Sequence, residues 1–554
     1  MGKKNRIELL KEELHPFDPE FRRRLERYLK EGDWKKVPED DLERLKWYGI
    51  FYRKAVPGTF MVRIRVPGGV LTARQAKKVA ELARLYGGGS VEITSRQQFQ
   101  IRHLELKDLG AVLEGLKEVG LTTLQTGGDN PRNVVQDPLA GLVEESKVDT
   151  TPLTAALTAA VLGKKEYADL PRKLNPAVLG SVRDPVNALY NDFALVLAEG
   201  EGGLGFNLYL GGKVGSGGPV TGFDLNAFVP ARREEVVDLF LAVLRLYSRL
   251  GNRENRNKNR LYFLVRDLGP DRFRELLEEE LGRPLRPKGW ELVEAFGERE
   301  GIIPLSGRGR GLFKRRLYAV LAAVPAGKLP AADLEGFARL AETYGDGRLR
   351  LTVYQNLYLV GIPEERLSSL LSEEPLSGYE RWSRNSFLVH LVACAGRGTC
   401  HFGVIENKED AVRVARHLAV KLIPSAMAGR FVKEKGLEPD YRELELLRER
   451  FSLGRPLRMH WSACAKGCGS HGAADLGFVG TKLRVGGEVV EGVEVFLGGT
   501  PRSEGKPVGK VPLKGLERRL EDLLWFFFEN RLPGEDFTAF VRRVGVEVLR
   551  RFFT

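Results

Sequence analysis

Residues 458–480 read RMHWSACAKGCGSHGAADLGFVG and contain two of the chain's four cysteines, Cys464 and Cys468. The other two, Cys394 and Cys400, lie in LVACAGRGTCHFGVIE, residues 391–406. The cysteines therefore form one C-x5-C pair and one C-x3-C pair, and four thiolates are the usual ligands of one iron–sulfur cluster. Glycine and alanine flank each pair, and such small residues let the backbone approach a bulky inorganic group. The pattern favours an iron–sulfur cluster.

Other interpretations of the four cysteines stay open at this point. Cysteine is among the most buried residue types, so the thiols could simply lie free in the core. Structural zinc usually takes pairs spaced C-x2–4-C, and the C-x5-C pair fits that spacing poorly. Disulfides need an oxidising compartment, and the sequence shows no secretion signal.

The paired cysteine motifs, with HW before Cys464 and ADLGFVG after Cys468, resemble those of the sirohaem-containing nitrite and sulfite reductases. The resemblance extends from about Asp41 to about Gly499. It implies that Cys394, Cys400, Cys464 and Cys468 hold a [4Fe–4S] cluster and that Cys468 also bridges to the iron of a sirohaem. Where the family commonly has Cys-Pro-Asn-x-Cys-Gly, this chain has CAKGCG, a change that can alter the reduction potential.

The chain also contains an internal duplication. VPGGVLTARQ, from Val66, aligns without gaps with VPAGKLPAAD, from Val324, and the same offset of 258 pairs Gln97 with Gln355. A weaker similarity relates the sequence around Asp192 to that around Asp475. Together with the resemblance, the repeats predict an α+β, internally duplicated, pseudo-two-fold nitrite/sulfite reductase fold. Ferredoxin-like half-domains and mixed sheets covered by helices are part of that expectation.

We predict five segments along the chain. They are an N-terminal helical segment (1–55), a first ferredoxin-like half-domain (56–127), a first sirohaem- and substrate-binding domain (128–314), a second ferredoxin-like half-domain (315–385) and a [4Fe–4S]- and sirohaem-binding domain (386–554).

The first half-domain has a clear strand and helix pattern. Apolar residues alternate from Phe60 to Val66, which predicts a strand. Thr72 can cap a helix that Gly87 ends, and a second strand is predicted from Val91 to Arg102.

Cationic and amide side chains concentrate in the first repeat. On the predicted strand four of them share one face: Arg96, Gln98, Gln100 and Arg102. Arg63 and Arg65 share a face of the companion strand, and in the second repeat Leu321 replaces Arg63. A solvated strand face would explain a single basic row. Two rows in one repeat only indicate a surface that binds an anion.

The resemblance assigns individual roles to these residues. Arg63, Arg132, Lys173 and Asn175 fall where the family contacts the substrate anion at the sirohaem. Arg96, Gln100, Arg102 and Arg172 fall where the family's cofactor contacts lie.

Asn175 distinguishes two branches of the family. The phrase LPRKLNP is similar to that of ferredoxin-dependent nitrite reductases, whereas assimilatory sulfite reductases carry a second lysine at this position. Nitrite is a monoanion and sulfite is substantially a dianion, so one fewer cation suits nitrite. We therefore predict six-electron reduction of nitrite to ammonium. The alternatives are a sulfite reductase, a precorrin-3B synthase-like oxygenase and a non-catalytic Fe–S electron carrier.

Composition and charge indicate the partners. The formal net charge is +13, but acidic and basic residues are interleaved and no nucleic-acid-binding motif is present. An anionic substrate and an acidic ferredoxin would both be attracted by such a charge. No G-x-G-x-x-G fingerprint opens a βαβ unit, so we expect electrons to come from another protein, ferredoxin. Without a signal peptide or an apolar run long enough to cross a bilayer, we predict a cytoplasmic monomer.

Overall fold

The computed structural model describes residues 4–215, 218–306, 316–437, 440–453 and 455–554. The chain forms two compact units, one of residues 1–213 and 220–381, the other of residues 214–219 and 382–554. The predicted domain boundary between residues 314 and 315 lies outside the described residues. Within the described ranges, no helix is both long enough and apolar enough to cross a membrane.

The first unit begins with three helices and an edge strand. These are α1 (Arg6–Glu13), α2 (Pro19–Glu31), α3 (Glu39–Arg44) and β1 (Ile50–Tyr52). These helices therefore occupy about half of the segment predicted to be helical. Its last residues instead extend the first sheet, because β1 pairs with the strand that begins at Phe60.

The first half-domain follows. Its elements are β2 (Phe60–Ile64), β3 (Val70–Thr72), α4 (Ala73–Tyr86), β4 (Ser90–Ile93), β5 (Phe99–Leu104) and α5 (Leu109–Glu118). The predicted helix is confirmed with its cap: the Thr72 hydroxyl accepts from the Gln75 N–H, and the Gln75 side chain accepts from the Thr72 N–H. This reciprocal pair satisfies two otherwise unpaired donors of the first turn.

The single strand predicted from Val91 to Arg102 is wrong. The segment forms two antiparallel strands, β4 and β5, joined by a tight turn. The Thr94 hydroxyl accepts from the N–H groups of Arg96 and Gln98, each at 3.2 Å, and Gln97 adopts a positive φ of 54°. Because Arg96 lies in the turn, strand alternation does not place it on one face with Gln100.

A mixed sheet with helices occupies the middle of the first unit. Its elements are β6 (Val135–Gln136), α6 (Thr151–Val161), β7 (Pro176–Leu179), β8 (Arg183–Asp184), β9 (Phe193–Gly200), β10 (Gly203–Leu210), β11 (Phe223–Pro230), α7 (Arg233–Leu250), α8 (Leu261–Leu268), α9 (Pro270–Leu281), β12 (Arg286–Pro287), β13 (Trp290–Glu291) and β14 (Ala295–Phe296). The strand order of the sheet is β12-β11-β10-β9-β7-β6, with β13 also on β9. Strands β8 and β14 are not part of it and pair with each other in a separate two-stranded sheet. Strands β6, β7 and β9 are parallel, and α6, α7, α8 and α9 contribute to one core with the sheet.

The second half-domain completes the first unit. Its elements are β15 (Ile302–Pro304), β16 (Leu317–Ala322), β17 (Lys328–Pro330), α10 (Ala331–Tyr344), β18 (Arg348–Leu351), β19 (Leu357–Pro363), α11 (Leu367–Ser372) and α12 (Leu376–Glu380).

The two half-domains exchange edge strands. Strand β17 of the second pairs with β4 of the first, and β3 of the first pairs with β18 of the second. The Gln97 side chain donates to the Leu351 carbonyl at 2.9 Å, and its repeat partner Gln355 donates to the Ile93 carbonyl at 3.1 Å. Both glutamines have positive φ. The predicted pseudo-two-fold duplication is therefore confirmed, down to single hydrogen bonds.

The second unit contains one five-stranded sheet with helices. Its elements are α13 (Ser386–Val389), β20 (Leu391–Ala393), α14 (Asn407–Lys421), α15 (Pro424–Lys435), α16 (Tyr441–Arg450), β21 (Met459–Ser462), β22 (Leu476–Val485), β23 (Glu488–Leu497), β24 (Lys506–Pro512), α17 (Leu516–Asn530), α18 (Phe537–Val544) and α19 (Val546–Leu549). The strand order is β20-β21-β22-β23-β24.

This sheet repeats the topology of the middle sheet. In both, two parallel pairings are followed by two antiparallel ones, so β20-β21-β22-β23-β24 corresponds to β6-β7-β9-β10-β11. The Asp192 carboxylate accepts from the Asn175 N–H at 2.8 Å, and the Asp475 carboxylate accepts from the Arg458 N–H at 2.9 Å. The weaker similarity predicted around Asp192 and Asp475 is thus a second confirmed duplication.

Candidate active site

Two loops of the first unit lie side by side, just before the parallel strands β6 and β7. The Arg132 N–H donates to the Leu174 carbonyl at 2.8 Å, and the Leu174 N–H donates to the Asn130 carbonyl at 3.2 Å. Since β6 and β7 are parallel neighbours, their starting ends meet at one edge of the sheet. Arg132 and Lys173 are therefore carried on adjoining loops.

Arg63 and Arg132 converge on one backbone oxygen. Both guanidinium groups donate to the Thr126 carbonyl, Arg63 at 3.0 Å, and Arg132 also donates to the Gly128 carbonyl at 2.6 Å. Burial lowers the pKa of Arg132 well below its ordinary value, and the charge of Arg63 lowers it further. Arg132 Nε is buried with no hydrogen-bond partner among the described residues. An anion would relieve both the repulsion and the unpaired donor.

Asn175 is held rigidly at the start of β7. Its N–H donates to Asp192, and Arg260 binds the same carboxylate through two hydrogen bonds of 2.9 and 2.7 Å. The residue is 3% exposed, and the half-buried Lys173 lies two residues before it. The side chain of Asn175 offers an amide donor without a net charge.

Arg96, predicted to contact a cofactor, ties three loops together. Its guanidinium donates to the Asn191 side chain at 2.8 Å and to the carbonyls of Asn133 at 2.6 Å and Pro176 at 2.9 Å. Burial lowers its pKa to about 9. Its Nε is buried and has no hydrogen-bond partner within the described ranges.

Gln100 and Arg102 interact with each other on β5. Arg102 donates to the Gln100 side chain at 2.9 Å and forms an ion pair with Glu92 at 2.7 Å. Gln100 lies opposite Arg63 in the register of β2 and β5. Gln100 is therefore next to Arg63 on the neighbouring strand, whereas Arg102 is paired with Glu92 and has two buried nitrogens, Nε and Nη1, without a hydrogen-bond partner among the described residues.

Arg65 does not extend the cationic face as predicted. It is 3% exposed and donates to the carbonyls of Leu124 at 3.2 Å, Gln125 at 2.7 Å and Pro131 at 3.1 Å. Its guanidinium therefore donates hydrogen bonds to the backbone of the loop that leads to Arg132. The alternation of residues along the strand predicted which face the Arg65 side chain lies on, but not the carbonyls that it binds.

Arg172 contacts a buried carboxylate that the sequence analysis did not single out. Asp129 is fully buried and lies 3.6 Å from Arg172, and Arg256 binds it through contacts of 2.5 and 2.9 Å. An acidic residue inside a basic loop, GGDNPRN, was the available signal. Arg256 and Arg260 belong to residues 251–260, which connect α7 to α8.

The four cysteines lie in the second unit, at one edge of its sheet. Cys394 directly follows β20 and Cys464 follows β21 after one residue. Because β20 and β21 are parallel neighbours, these two ends meet, and the Cys394 N–H donates to the Trp461 carbonyl at 3.2 Å. Cys400 and Cys468 follow in the two loops that leave these strands. All four are free thiols, and Cys468 is the exposed one.

The environment of Cys394 tests whether these residues suit a cluster. Burial raises the pKa of its thiol to about 12, and the other three cysteines each contribute to the rise, so all four lie within electrostatic reach of one another. The Ala463 N–H at 3.2 Å and the Asn407 amide at 3.6 Å point at its sulfur. Buried thiolates with N–H donors fit a cationic iron–sulfur group, which would stabilise their ionised form.

Two of the glycines near the cysteines are required by the close approach of backbone segments. A Cβ on Gly469 would lie 1.9 Å from the Trp461 carbonyl oxygen, and a Cβ on Gly396 would lie 2.7 Å from the Asn407 nitrogen. These two glycines therefore allow backbone segments to approach each other, and the predicted approach of a bulky group to the small residues stays a prediction.

A single-ion site has no support in the described part of the chain, where no three His, Cys, Asp or Glu side chains are arranged to hold one metal ion. A [4Fe–4S] cluster places its four thiolates on different irons, so its ligands do not have to converge on one point.

Comparison with known proteins identifies matching family models and relatives. The model described as the nitrite and sulphite reductase 4Fe-4S domain matches residues 127–285, which contain no cysteine. The model described as the nitrite/sulfite reductase ferredoxin-like half domain matches residues 52–119 and 314–373. The ferredoxin–nitrite reductase of Synechococcus elongatus is 38% identical over 83% of this chain and 84% of its own. The chloroplastic ferredoxin–nitrite reductase of Zea mays is 37% identical over 89% and 83%.

One solved structure matches over nearly the whole chain. The NirA protein of Mycobacterium tuberculosis superposes with a TM-score of 0.86 at 28% sequence identity, and the match covers 99% of this chain and 98% of that one.

Proposed function

The chain belongs to the nitrite and sulfite reductase family, and from this membership we propose that it reduces nitrite to ammonium with electrons from ferredoxin. The observation in the structure that supports this most directly is the convergence of Arg63 and Arg132 on the Thr126 carbonyl. Two crowded, half-buried guanidinium groups would form a site for a small anion. Sulfite reduction is not favoured, because the matched relatives are nitrite reductases.

The cofactors are a [4Fe–4S] cluster and a sirohaem. Cys394, Cys400, Cys464 and Cys468 would hold the cluster, and we assign the bridge to the sirohaem iron to Cys468. Its exposed sulfur, in contrast to the half-buried other three, supports that assignment. When bound, these groups would pass to the substrate, one at a time, the six electrons that ferredoxin supplies. The N–H donors of Ala463 and Asn407 would stabilise negative charge on the sulfur of Cys394.

The substrate contacts proposed for the first unit are Arg63, Arg132, Lys173 and Asn175. Arg63, Arg132 and Lys173 supply positive charge, and Asn175 supplies a neutral donor. As N–O bonds break, negative charge develops on the departing oxygens, and oriented cations stabilise that charge without having to reorganise. Lys173 is the one of the four with an ammonium group, which can rotate to follow a changing acceptor.

The proposed cofactor contacts divide by their environment. Arg96 has a buried, unpartnered Nε and Gln100 lies opposite Arg63, so both remain direct candidates. Arg102 pairs with Glu92 but also has two buried nitrogens, Nε and Nη1, without a hydrogen-bond partner among the described residues, so we propose that it too contacts the cofactor. Arg172 is paired with Asp129, so we propose that it acts mainly by fixing neighbouring groups.

The partners follow from the same proposal. Ferredoxins are acidic electron carriers, and a net charge of +13 favours their encounter with this chain. A cytoplasmic location, a monomeric state and the absence of a nucleic-acid partner stay predictions from the sequence.

The decisive experiment is turnover of both anions by purified enzyme of known sirohaem and iron content. With reduced ferredoxin as donor, we expect ammonium from nitrite at a kcat/KM well above that for sulfide from sulfite. A preparation containing both cofactors that prefers sulfite would overturn the choice of substrate. One that turns over neither anion would overturn the catalytic assignment.

A further inference from the structure

Asp129 is a buried carboxylate that three side chains from different segments surround. Arg256 binds both of its oxygens, at 2.5 and 2.9 Å, and Arg172 approaches to 3.6 Å. Burial opposes ionisation, but Arg256, Lys11 and Arg172 outweigh it and hold the pKa of Asp129 below its ordinary value. The carboxylate is therefore ionised, and it joins the loops that carry Arg172 and Arg256.

The backbone of Asp129 makes the same connection. Its carbonyl accepts from the Leu170 N–H at 3.0 Å, and the next residue, Asn130, accepts from the Leu174 N–H at 3.2 Å. Three residues beyond Asp129 lies Arg132, and Lys173 is between the two donors of the other loop. Side chain and backbone together therefore fix the separation of two cations proposed to hold the anion.

Asp129 also affects the charge of the site. Burial and the neighbouring cations Arg63, Arg172 and Arg65 lower the pKa of Arg132, and Asp129 is the anion that opposes them. Removing its charge would leave Arg132 among cations only.

We propose that Asp129 is a positioning residue of the anion site, which keeps Arg132 and Lys173 at the separation that nitrite requires without touching nitrite itself. The inference rests on the proposed function. A displacement of about 1 Å at such a site costs roughly a hundredfold in kcat/KM. Because Arg132 and Lys173 are proposed to hold the anion before it reacts, we expect the larger part of that loss in KM.

The test compares Asp129→Asn with a matched control, Asp137→Asn. Asp137 is equally buried and forms the same kind of two-contact pair, with Arg299 at 2.9 Å, at the opposite ends of the parallel strands. In enzyme of matched sirohaem content, we expect Asp129→Asn to raise KM for nitrite by ~10–100-fold, with a smaller fall in kcat. We expect Asp137→Asn to reduce thermal stability while KM stays within about twofold of wild type.

A second variant covers the case in which Asp129→Asn does not fold. Arg256 is 28% exposed, so Arg256→Gln removes the main partner of Asp129 with less buried damage. It should also raise KM for nitrite. If Asp129 and Arg256 act through one pair, KM of the double variant should be close to that of the single variants and well below the product of their two effects.

The outcomes separate this inference from the proposed function. A wild-type enzyme that does not reduce nitrite overturns the function itself. If wild type reduces nitrite but Arg256→Gln and any folded Asp129→Asn keep its KM, only the positioning role is overturned. An equal rise of KM in Asp137→Asn would also overturn it, since the effect would then be that of breaking any buried ion pair.

Discussion

Arg132 is used in two ways at once, and this determines what its loss should do. Two of its nitrogens hold backbone carbonyls at Thr126 and Gly128, while Nε is left buried without a partner in the described chain. The first use orders the loop, and we propose that Nε is a donor to the substrate anion. Lys173 lies on the adjoining loop.

We predict that Arg132→Ala and Lys173→Ala each lower nitrite turnover by roughly 10²–10³, because each removes an oriented donor to developing negative charge. Sirohaem content, read from the absorption spectrum, should stay at the wild-type level. Arg84→Ala serves as control, since that side chain is 60% exposed on α4. Loss of sirohaem from either site variant would mean that a cofactor contact had been taken for a substrate contact.

Asn175 should control the choice between nitrite and sulfite. A lysine there would add a full charge near the anion, worth up to ~4 kcal/mol per unit of substrate charge at about 4 Å and an effective dielectric of about 20. Desolvation of the lysine ammonium cancels part of that free energy, but the gain is larger for sulfite, a dianion, than for nitrite, a monoanion. We predict that Asn175→Lys raises the ratio of sulfite to nitrite kcat/KM, even if both rates fall.

The measurement for Asn175 uses the same reduced donor and matched cofactor content for both anions. Asn175→Leu, of similar size and without a donor, separates the effect of charge from that of a lost hydrogen bond. A ratio that stays constant or falls in Asn175→Lys would place specificity elsewhere in the site.

At the scale of elements, local signals predicted what local physics determines. The sequence predicted that helix α4 is capped by Thr72 and ends at Gly87, because each of these features depends on residues within one turn. The turn at Thr94 was not, since Gln97 adopts its positive φ only because its side chain bonds to Leu351 and Gln136, residues distant in sequence. That missed turn is also why Arg96 was placed on a strand face.

The N-terminal helices should respond to pH through His15. It is 5% exposed, its Nδ1 accepts from the Phe17 N–H at 3.1 Å, and burial foremost lowers its pKa to about 4. Asp169, Lys165, Asp18 and Lys11 are the charged groups that face it, and their effects on its pKa oppose one another.

Because the folded-state pKa of His15 is below its ordinary value, protonation favours unfolding. Its contribution to stability is complete above pH ~6.5 and is lost as the pH falls towards 4. Between pH 7 and pH 5 we predict a loss of about 2 kcal/mol in the free energy of local unfolding, measured by amide exchange in α1. His15→Gln keeps an acceptor for Phe17 but does not titrate, so it should lack this loss. An equal pH dependence in both proteins would contradict the assignment to His15.

At the scale of the whole molecule, the candidate site residues lie at one edge of each copy of the duplicated sheet. In the middle sheet the loops before β6 and β7 carry Arg132 and Lys173, and in the second unit the loops after β20 and β21 carry the cysteines. The register places Asp137 and Ser181 where the second copy has Cys394 and Cys464. Both contact Arg299, so a guanidinium takes the position that corresponds to the cluster.

The repeat itself was readable from the sequence, because a constant offset survives in both copies. The exchange of β3 and β17 between half-domains was not, since an apolar pattern predicts a strand but not its partner. The cysteines and the individual cations could be proposed from motifs and from the family resemblance. The role of Asp129 could not, since it depends on Arg172 and Arg256, which lie in loops distant in sequence.

The net charge of +13 should act mainly on the encounter with ferredoxin. Charges on two protein surfaces attract over distances comparable to the Debye length, about 10 Å at 0.1 M salt, so added salt weakens them strongly. Such attraction accelerates association by ~10–10³-fold at low ionic strength.

At saturating nitrite, we therefore predict that kcat/KM for ferredoxin falls at least tenfold between ~0.01 M and ~0.3 M salt. The rate with a small donor of little charge should change by less than about twofold, because it has no extended acidic surface to be attracted. Saturating nitrite removes the salt dependence of substrate binding from the comparison. If both donors responded equally to salt, the effect would belong to the enzyme's internal steps, and the positive charge would have no role in docking.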